Sequence, residues 1–250
     1  MRIVAVIPSR FGSSRFEGKP LAPIAGKPMI QRVYESAAKS NSISQVIVAT
    51  DDQRIFDAVQ NFKGHVMMTS SSCRSGTDRV AEAAAQLGLS ESDIAINIQG
   101  DQPLVHPECF DQVVEPLVQD PRLDMSTLAF AIVHQAEYTN PKDCKVVMDQ
   151  HGYALYFSRA PIPFARDDQP GSFPVYKHLG VYAYRRRFLD HFKNLPFGNL
   201  EVLEKLEQLR ALEYGHRIKV VVTPFDSPEV DLPEDISRIE QILGNPNFQC

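Results

Sequence analysis

The stretch "IVAVI", Ile3 to Ile7, decides the architecture. A continuous apolar run, mostly β-branched and ended by Pro8, shows no polar alternation, so it suits a strand covered on both faces. Runs of the same kind return as "QVIVAT" (Gln45 to Thr50), "HVMMT" (His65 to Thr69) and "IAINI" (Ile94 to Ile98). Segments with helical spacing stand between them. "GKPMIQRVYESAAKS" is apolar at Met29, Ile30, Val33, Tyr34 and Ala37, with Pro28 admissible in the first turn. "DDQRIFDAVQNF" opens on Asp51 and Asp52 as an N-cap signal, and "SGTDRVAEAAAQLG" closes on Gly88, the residue type favoured just past a helix end. Strand and helix alternating from residue 1 to about 120 predict a parallel sheet with helices on both faces.

Beyond that point the rhythm changes. "MSTLAFAIV" (Met125 to Val133), "KVVMD" and "ALYFSR" read as strands with few helices between them. "RAPIPFARDDQPGSFPVYKH" (Arg159 to His178) reads as a long loop, and "LGVYAYRRRFLDHFKNL" moves from strand into helix. "LEVLEKLEQLRALEYG" reads as one amphipathic helix with leucines at 200, 203, 206, 209 and 212, closed by Gly215. "IKVVVT" is a late strand, and a last helix is expected from Pro233. The expectation is an α/β fold, a mixed and mostly parallel sheet flanked by helices. It forms a single domain over residues 1–250 with a less regular insertion from about 125 to 200.

Composition narrows the function. The chain has 250 residues, 43% apolar and 23% charged, within the globular range. A net charge of −5 argues against a nucleic-acid or anionic-membrane partner, both of which need a basic footprint. The cysteines at 73, 109, 144 and 250 form no C-x-x-C pair, so no metal or redox motif is legible. The apolar start from Met1 to Ile7 is too short for a signal peptide, and no run is long enough to span a membrane. A cytoplasmic location is expected.

In open α/β sheets, ligands bind beyond the carboxyl ends of the strands. The segments "PSRFGSSRFEGK", "ATDD", "QGDQP" and "SPEVDLPED" each follow a predicted strand. The first sets Arg10, Arg15 and Lys19 among the small residues Ser9, Gly12, Ser13, Ser14 and Gly18. It is neither a P-loop nor a G-x-G-x-x-G turn. Small residues let backbone N–H groups approach an anion, and the cations add charge-assisted hydrogen bonds to phosphate oxygens. A solvated surface loop is the bland alternative. Asp101 and Asp231, in two strand-end loops, suit a hard metal ion completed by substrate phosphates, or they simply cap turns. His178 has no partner at metal spacing, which leaves a structural histidine or a ligand contact. Glu201, Glu204 and Glu207 read as a solvated helix face, with Glu207 close to Lys205 and Arg210. "YRRRF" (Tyr184 to Phe188) reads as surface.

Taken together, "IPSRFGSSRFEGKPL", "GKPMI", "VATDD", "SGTDR", "NIQGDQP", "YFSRAPIPF", "YKHLGVYAY", "LEKLEQLRALEYG" and "EVDLPEDI" occur in an order and spacing that resemble the 3-deoxy-manno-octulosonate (Kdo) cytidylyltransferases. The resemblance runs from about residue 3 to 240. It implies the Rossmann-like sugar nucleotidyltransferase fold, with the insertion serving dimerisation and sugar binding. It also implies a reaction in which CTP and a Kdo-type acid sugar give the CMP-sugar and diphosphate for lipopolysaccharide synthesis. By that resemblance Arg10, Arg15 and Lys19 hold the CTP phosphates, and Ser75, Gly76, Thr77 and Gln99 lie near cytosine and ribose. Asp101 and Asp231 bind Mg²⁺ and, with Lys19, form the catalytic centre. Arg159, His178, Tyr182, Glu207 and Gln208 line the sugar pocket, and the protein is a homodimer.

Two departures stand out. The family often reads G-V-D-T-P around its second aspartate where this chain has "EVDLP", so Glu229 and Leu232 change the surroundings of Asp231. The "FGNLEVLEKLEQLRALEYGH" segment is similar to a branch using 8-amino-3,8-dideoxy-manno-octulosonate, which leaves Kdo and its 8-amino analogue both open as acceptor. Two other classes compete. A catalytically silent nucleotide-binding regulatory domain would bind CTP without turnover, although Lys19, Asp101 and Asp231 are intact. A nicotinamide oxidoreductase would need a glycine fingerprint that no predicted strand carries.

Overall fold

The computed structural model describes residues 1–12, 15–166 and 174–245. Ser13, Ser14, Cys250 and part of the loop expected from Arg159 to His178 lie outside the described residues.

The predicted N-terminal runs form strands β1 (Ile3–Ser9), β4 (Gln45–Thr50), β5 (Val66–Met68) and β6 (Ile94–Asn97). Two-residue strands β2 (Pro23–Ile24) and β3 (Lys27–Pro28) make a small hairpin before helix α1 (Met29–Ala37). Pro28 stands at the N-cap of α1 and not inside its first turn. Helix α2 (Gln53–Asn61) is capped by Asp52, whose carboxylate accepts from the Arg54 N–H at 2.9 Å. Helix α3 (Gly76–Gln86) is capped by Ser75, and Gly88 beyond it adopts the left-handed conformation that its type permits. Helix α4 (Pro107–Gln119) completes the first half.

The second half supplies β7 (Met125–Ala131), α5 (Gln135–Thr139), β8 (Lys145–Met148), β9 (Ala154–Ser158) and β10 (Tyr176–Arg185). Helix α6 (Arg186–Phe192), α7 (Asn199–Glu204), α8 (Gln208–Glu213), β11 (Lys219–Thr223) and α9 (Asp235–Leu243) follow. The main sheet runs β11-β7-β10-β6-β1-β4-β5. β1 pairs in parallel with β4 and β6, β4 with β5, and β7 with β11. β10 lies antiparallel between β6 and β7 and carries the β8–β9 pair on its early residues. The sheet is therefore mixed and mostly parallel, as expected.

Both faces of the sheet are dry. Val4, Val6 and Ala95 pack with Val80 and Ala84 of α3 and with Phe188 and Leu189 of α6. Ala5, Ile7 and Ile96 pack with α1, α2 and α4 through Ile30, Val33, Ile55, Phe110 and Val113. Each fully buried Ile, Leu, Val or Phe contributes roughly 1.5–3 kcal/mol through lost apolar hydration. This explains why the strands have no polar face.

Three expectations fail locally. The single helix over Leu200 to Tyr214 is broken: Lys205 takes a left-handed φ of 55° at the end of α7, and α8 restarts at Gln208. The break lets Glu201 turn inward, where it receives Arg210 at 2.7 Å and through a second, shorter contact. Glu201 is thus buried and not on a solvated face, and Arg210 belongs to it rather than to Glu207. Of the "YRRRF" cluster only Arg187 is at the surface, as expected. Arg185 and Arg186 are buried, and the Arg185 guanidinium donates to carbonyls of Leu117, Asp120, Leu123 and Ser92 around the end of α4. Unsatisfied carbonyls at a helix C-terminus attract a cation, which makes the position structural. At the C-terminus the last helix begins at Asp235, two residues after Pro233.

Candidate active site

β10 runs against β6 and β7, while β1, β4, β6, β7 and β11 all point the same way. The loops after β1, β4, β6 and β11 therefore share one sheet edge, and β10 begins at that edge. The loop after β1 closes on itself through the Gly18 N–H to Phe11 carbonyl bond of 2.9 Å. Gly18 has φ +70°, and a Cβ there would lie 3.1 Å from the Phe11 ring, so the turn requires glycine on two counts. Lys19 then enters a short 3₁₀ turn (Lys19–Leu21), and its ammonium reaches across the edge. It donates to the Asp101 carboxylate at 2.7 Å and to the Val230 carbonyl at 3.0 Å. Arg15 pairs with Asp231 at 3.0 Å. Three loops far apart in sequence are tied by these two ion pairs.

Two adjoining cavities open here, of about 260 and 810 Å³, and Gln99 and Asp101 line both. The smaller is bounded by Arg10, Lys19, Ser75 and Gly76. It meets the N-terminal end of α3, where free N–H groups and the helix dipole favour an anion. Arg10 is anchored by the Cys73 carbonyl. Arg79, fully buried, also lines it and holds Asp51 at 2.9 Å and Thr69 at 2.5 Å. Asp51 is thus an ion-pair partner, while Asp52 alone caps α2.

The larger cavity takes in Arg15, Thr77, Asp231, Arg159, His178, Tyr182, Glu207 and Gln208. The register sets Tyr182 opposite Asn97 of β6, next to the Gln99–Asp101 loop. The Thr77 hydroxyl donates to Glu207 at 2.7 Å, linking α3 to the residue before α8. Glu204 receives Ser158 at 2.6 Å and the Arg159 N–H at 2.9 Å, so it too is engaged and not solvated. The Arg159 guanidinium is fixed by the carbonyls of Glu204 and Pro141 at 2.8 and 2.9 Å. His178 Nε2 lies 2.9 Å from the Thr127 hydroxyl, and desolvation lowers its pKa to about 3, so the ring is neutral. Every site residue expected from the sequence thus borders one of the two cavities.

Several lining residues escaped the sequence reading. Arg79 sits in the quoted stretch "SGTDR", so its signal was present but unassigned; its partner Asp51 stands in "VATDD", where it reads only as part of an N-cap signal. Lys177 pairs with Asp226 at 2.9 Å and with Glu137; burial opposes its charge, but the two carboxylates outweigh that and raise its pKa. Glu229 accepts from Gln102 Nε2 at 2.9 Å. Its side chain is exposed on the cleft wall. Desolvation, together with the Asp101 and Asp231 carboxylates, raises its pKa, an effect tempered by water in the open cleft. The donor set of Asp101 and Asp231 is all carboxylate oxygen, the kind that suits a hard divalent cation.

A family model described as "Cytidylyltransferase" matches residues 4–218. The chain belongs to the cytidylyltransferase family. A 3-deoxy-manno-octulosonate cytidylyltransferase of Desulfosudis oleivorans is 61% identical over 98% of both chains. An 8-amino-3,8-dideoxy-manno-octulosonate cytidylyltransferase of Shewanella amazonensis is 58% identical over 97% of this cytidylyltransferase and 99% of its own length. A solved CMP:2-keto-3-deoxy-manno-octonic acid synthetase complexed with CTP superposes with a TM-score of 0.90 at 41% identity, covering 97% and 98% of the two chains. At 15% identity, a 4-diphosphocytidyl-2C-methyl-D-erythritol synthase from Anaerococcus prevotii shares the fold alone, with a TM-score of 0.61.

Proposed function

We propose that this cytidylyltransferase joins CTP to a Kdo-type acid sugar, Kdo itself or its 8-amino-3,8-dideoxy analogue, giving the CMP-sugar and diphosphate for lipopolysaccharide synthesis. The observation that carries the reading is the junction at Asp101, which borders both cavities and is held by Lys19 at 2.7 Å. A nucleotide seated in the smaller cavity and reaching Thr77 and Arg15 of the larger would meet the sugar there. The names of the relatives and of the CTP-bound neighbour support the same reaction.

In this reading the anomeric hydroxyl of the sugar attacks the α-phosphorus of CTP. A new P–O bond forms, the bond to the bridging oxygen breaks, diphosphate leaves with that electron pair, and the hydroxyl proton passes to solvent. The protein contributes positioning and charge neutralisation. Arg10, Arg15 and Lys19 hold the phosphates, while Ser75, Gly76, Thr77 and Gln99 receive the nucleoside. Arg159 suits the sugar carboxylate, because a planar guanidinium binds it in bidentate fashion. His178, neutral at working pH, offers a hydrogen bond without adding charge, beside Tyr182, Glu207 and Gln208. Asp101 and Asp231 fit Mg²⁺, which takes one or two carboxylates and completes its shell with substrate phosphates. When bound there, the ion would stabilise the developing phosphate charge and make the hydroxyl a better nucleophile.

Diphosphate release tests the reading. It should require CTP, one of the two sugars and Mg²⁺ together; absence of release with both sugars would overturn it. We further propose a homodimer formed through the irregular 125–200 region, where Leu155 and Phe164 are 63% and 85% exposed. Light scattering on the purified chain should give twice the monomer mass.

A further inference from the structure

We propose that the Thr77 side chain serves the sugar and not the nucleotide: its hydroxyl positions Glu207 to receive the acceptor. Resting on the cytidylyltransferase reading above, this divides the work of one residue between the two substrates. Thr77 follows Ser75 and Gly76 at the start of α3. Those two border the smaller cavity, whereas Thr77, of the two cavities, borders the larger, together with Glu207 and Gln208. The Ser75 hydroxyl caps the Asp78 N–H. The Thr77 N–H lies in the first turn, where no intrahelical acceptor exists, and stays available to the nucleotide. The side chain is committed elsewhere. Thr77 is 3% exposed, and its hydroxyl donates to Glu207 Oε2 at 2.7 Å.

Glu207 needs such a hold. It stands at the N-cap of α8, two residues after the left-handed Lys205, so no helical turn precedes it to fix its side chain. Among the described residues its carboxylate makes no ion pair, and Thr77 is its hydrogen-bond donor. With Oε2 held, Oε1 is left to accept a hydroxyl of a sugar in the cavity that both residues line. A hydroxyl donating to a carboxylate makes a short, charge-assisted bond, stronger than one between neutral groups. Threonine suits the task because its β-branch restricts χ1, and the buried Tyr184 phenol of β10 stands beside it. A carboxylate ordered before the sugar arrives loses less freedom on binding, so the Thr77 bond is felt as sugar affinity.

The test compares KM for CTP with KM for the sugar, each measured by diphosphate release with the other substrate and Mg²⁺ saturating. The proteins are the wild type, Thr77→Val, Thr77→Ser, Glu207→Ala and the double variant Thr77→Val/Glu207→Ala. Valine keeps the shape of threonine and removes the donor. Thr77→Val should raise KM for the sugar about tenfold, the scale of one hydrogen bond to a charged group, and leave KM for CTP within about twofold. Thr77→Ser, which keeps the hydroxyl, should recover most of the loss. Glu207→Ala should raise the sugar KM at least as much. Adding Thr77→Val to it should change nothing further, because a residue acting through another has no effect once that other is gone. A raised KM for CTP with the sugar KM unmoved overturns the proposal and returns the hydroxyl to the nucleotide. Equal rises in both constants, no change in either, or a full additional loss in the double variant also overturn it. If the valine variant folds poorly, Thr77→Ala removes the same donor and is read in the same way. A wild type inactive with both sugars removes the underlying reaction instead, an outcome that none of the variant results resembles.

Discussion

Asp101 is held by Lys19 and borders both cavities; in the proposed reaction its charge would hold Mg²⁺ where two anionic substrates meet. Replacing it by Asn keeps the shape and removes the charge. Asp101→Asn and Asp231→Asn should each lower kcat by about a hundredfold or more, the usual cost of removing one electrostatic stabiliser of a transition state. Steady-state diphosphate release would measure it, and near-wild-type rates in both would refute the assignment. Away from the site, Asp93 makes a different prediction. Burial would raise its pKa, but the Arg2 and Ser90 N–H groups, at 2.6 and 2.8 Å, overcome that and bring it to about 2. A carboxylate depressed on folding stabilises above its unfolded pKa, and that contribution is lost as pH falls from about 4 through 2. Asp93→Asn should cost ~2 kcal/mol at pH 7, and the gap to wild type should shrink to about a third of that by pH 2.5 in urea unfolding. A gap at pH 2.5 as large as that at pH 7 would contradict it.

The strands of the first hundred residues were legible because a strand buried on both faces carries mostly apolar side chains, and "IVAVI", "QVIVAT" and "IAINI" do so, with polar residues such as Thr50 and Asn97 confined to or near the strand ends. The strand-end loops followed from them, which is why Lys19, Asp101 and Asp231 could be found together. The order of strands was not legible. Periodicity reports which face is buried, and β10 is covered on both whether it is inserted between β6 and β7 or added at an edge. The break between α7 and α8 was hidden for a similar reason: leucines at 203, 206 and 209 keep helical spacing through it. Only Lys205, exposed and left-handed, reveals it, and nothing in a lysine signals positive φ. Glycine adopts that conformation without the Cβ penalty, so Lys205→Gly should stabilise the fold by up to ~1 kcal/mol. Denaturant midpoints would register the gain, and a loss would mean that the Lys205 side chain carries more than its backbone strain costs. Glu229 was visible only as a departure from a pattern; its hydrogen bond from Gln102 needed the packing.

At the scale of the whole molecule, β10 joins two halves of the sheet that touch through it. On one side β6, β1, β4 and β5 are made from residues before 100; on the other, β7 and β11 span residues 125 to 223. The chain leaves the ribosome from its N-terminus, so β6 is complete long before its antiparallel neighbour exists. During that interval the apolar edge of β6 is open, a template for pairing with another nascent chain. Protection of the N-terminal half should therefore arrive late and at one step. In ribosome-stalled chains, proteolysis should cut within β1 to β6 when the chain ends near residue 150, and should stop once Arg185 has cleared the exit tunnel. A cell making this enzyme thus has an interval of roughly 90 residues of synthesis, several seconds at ordinary translation speed, in which a chaperone must stand in for a strand not yet made.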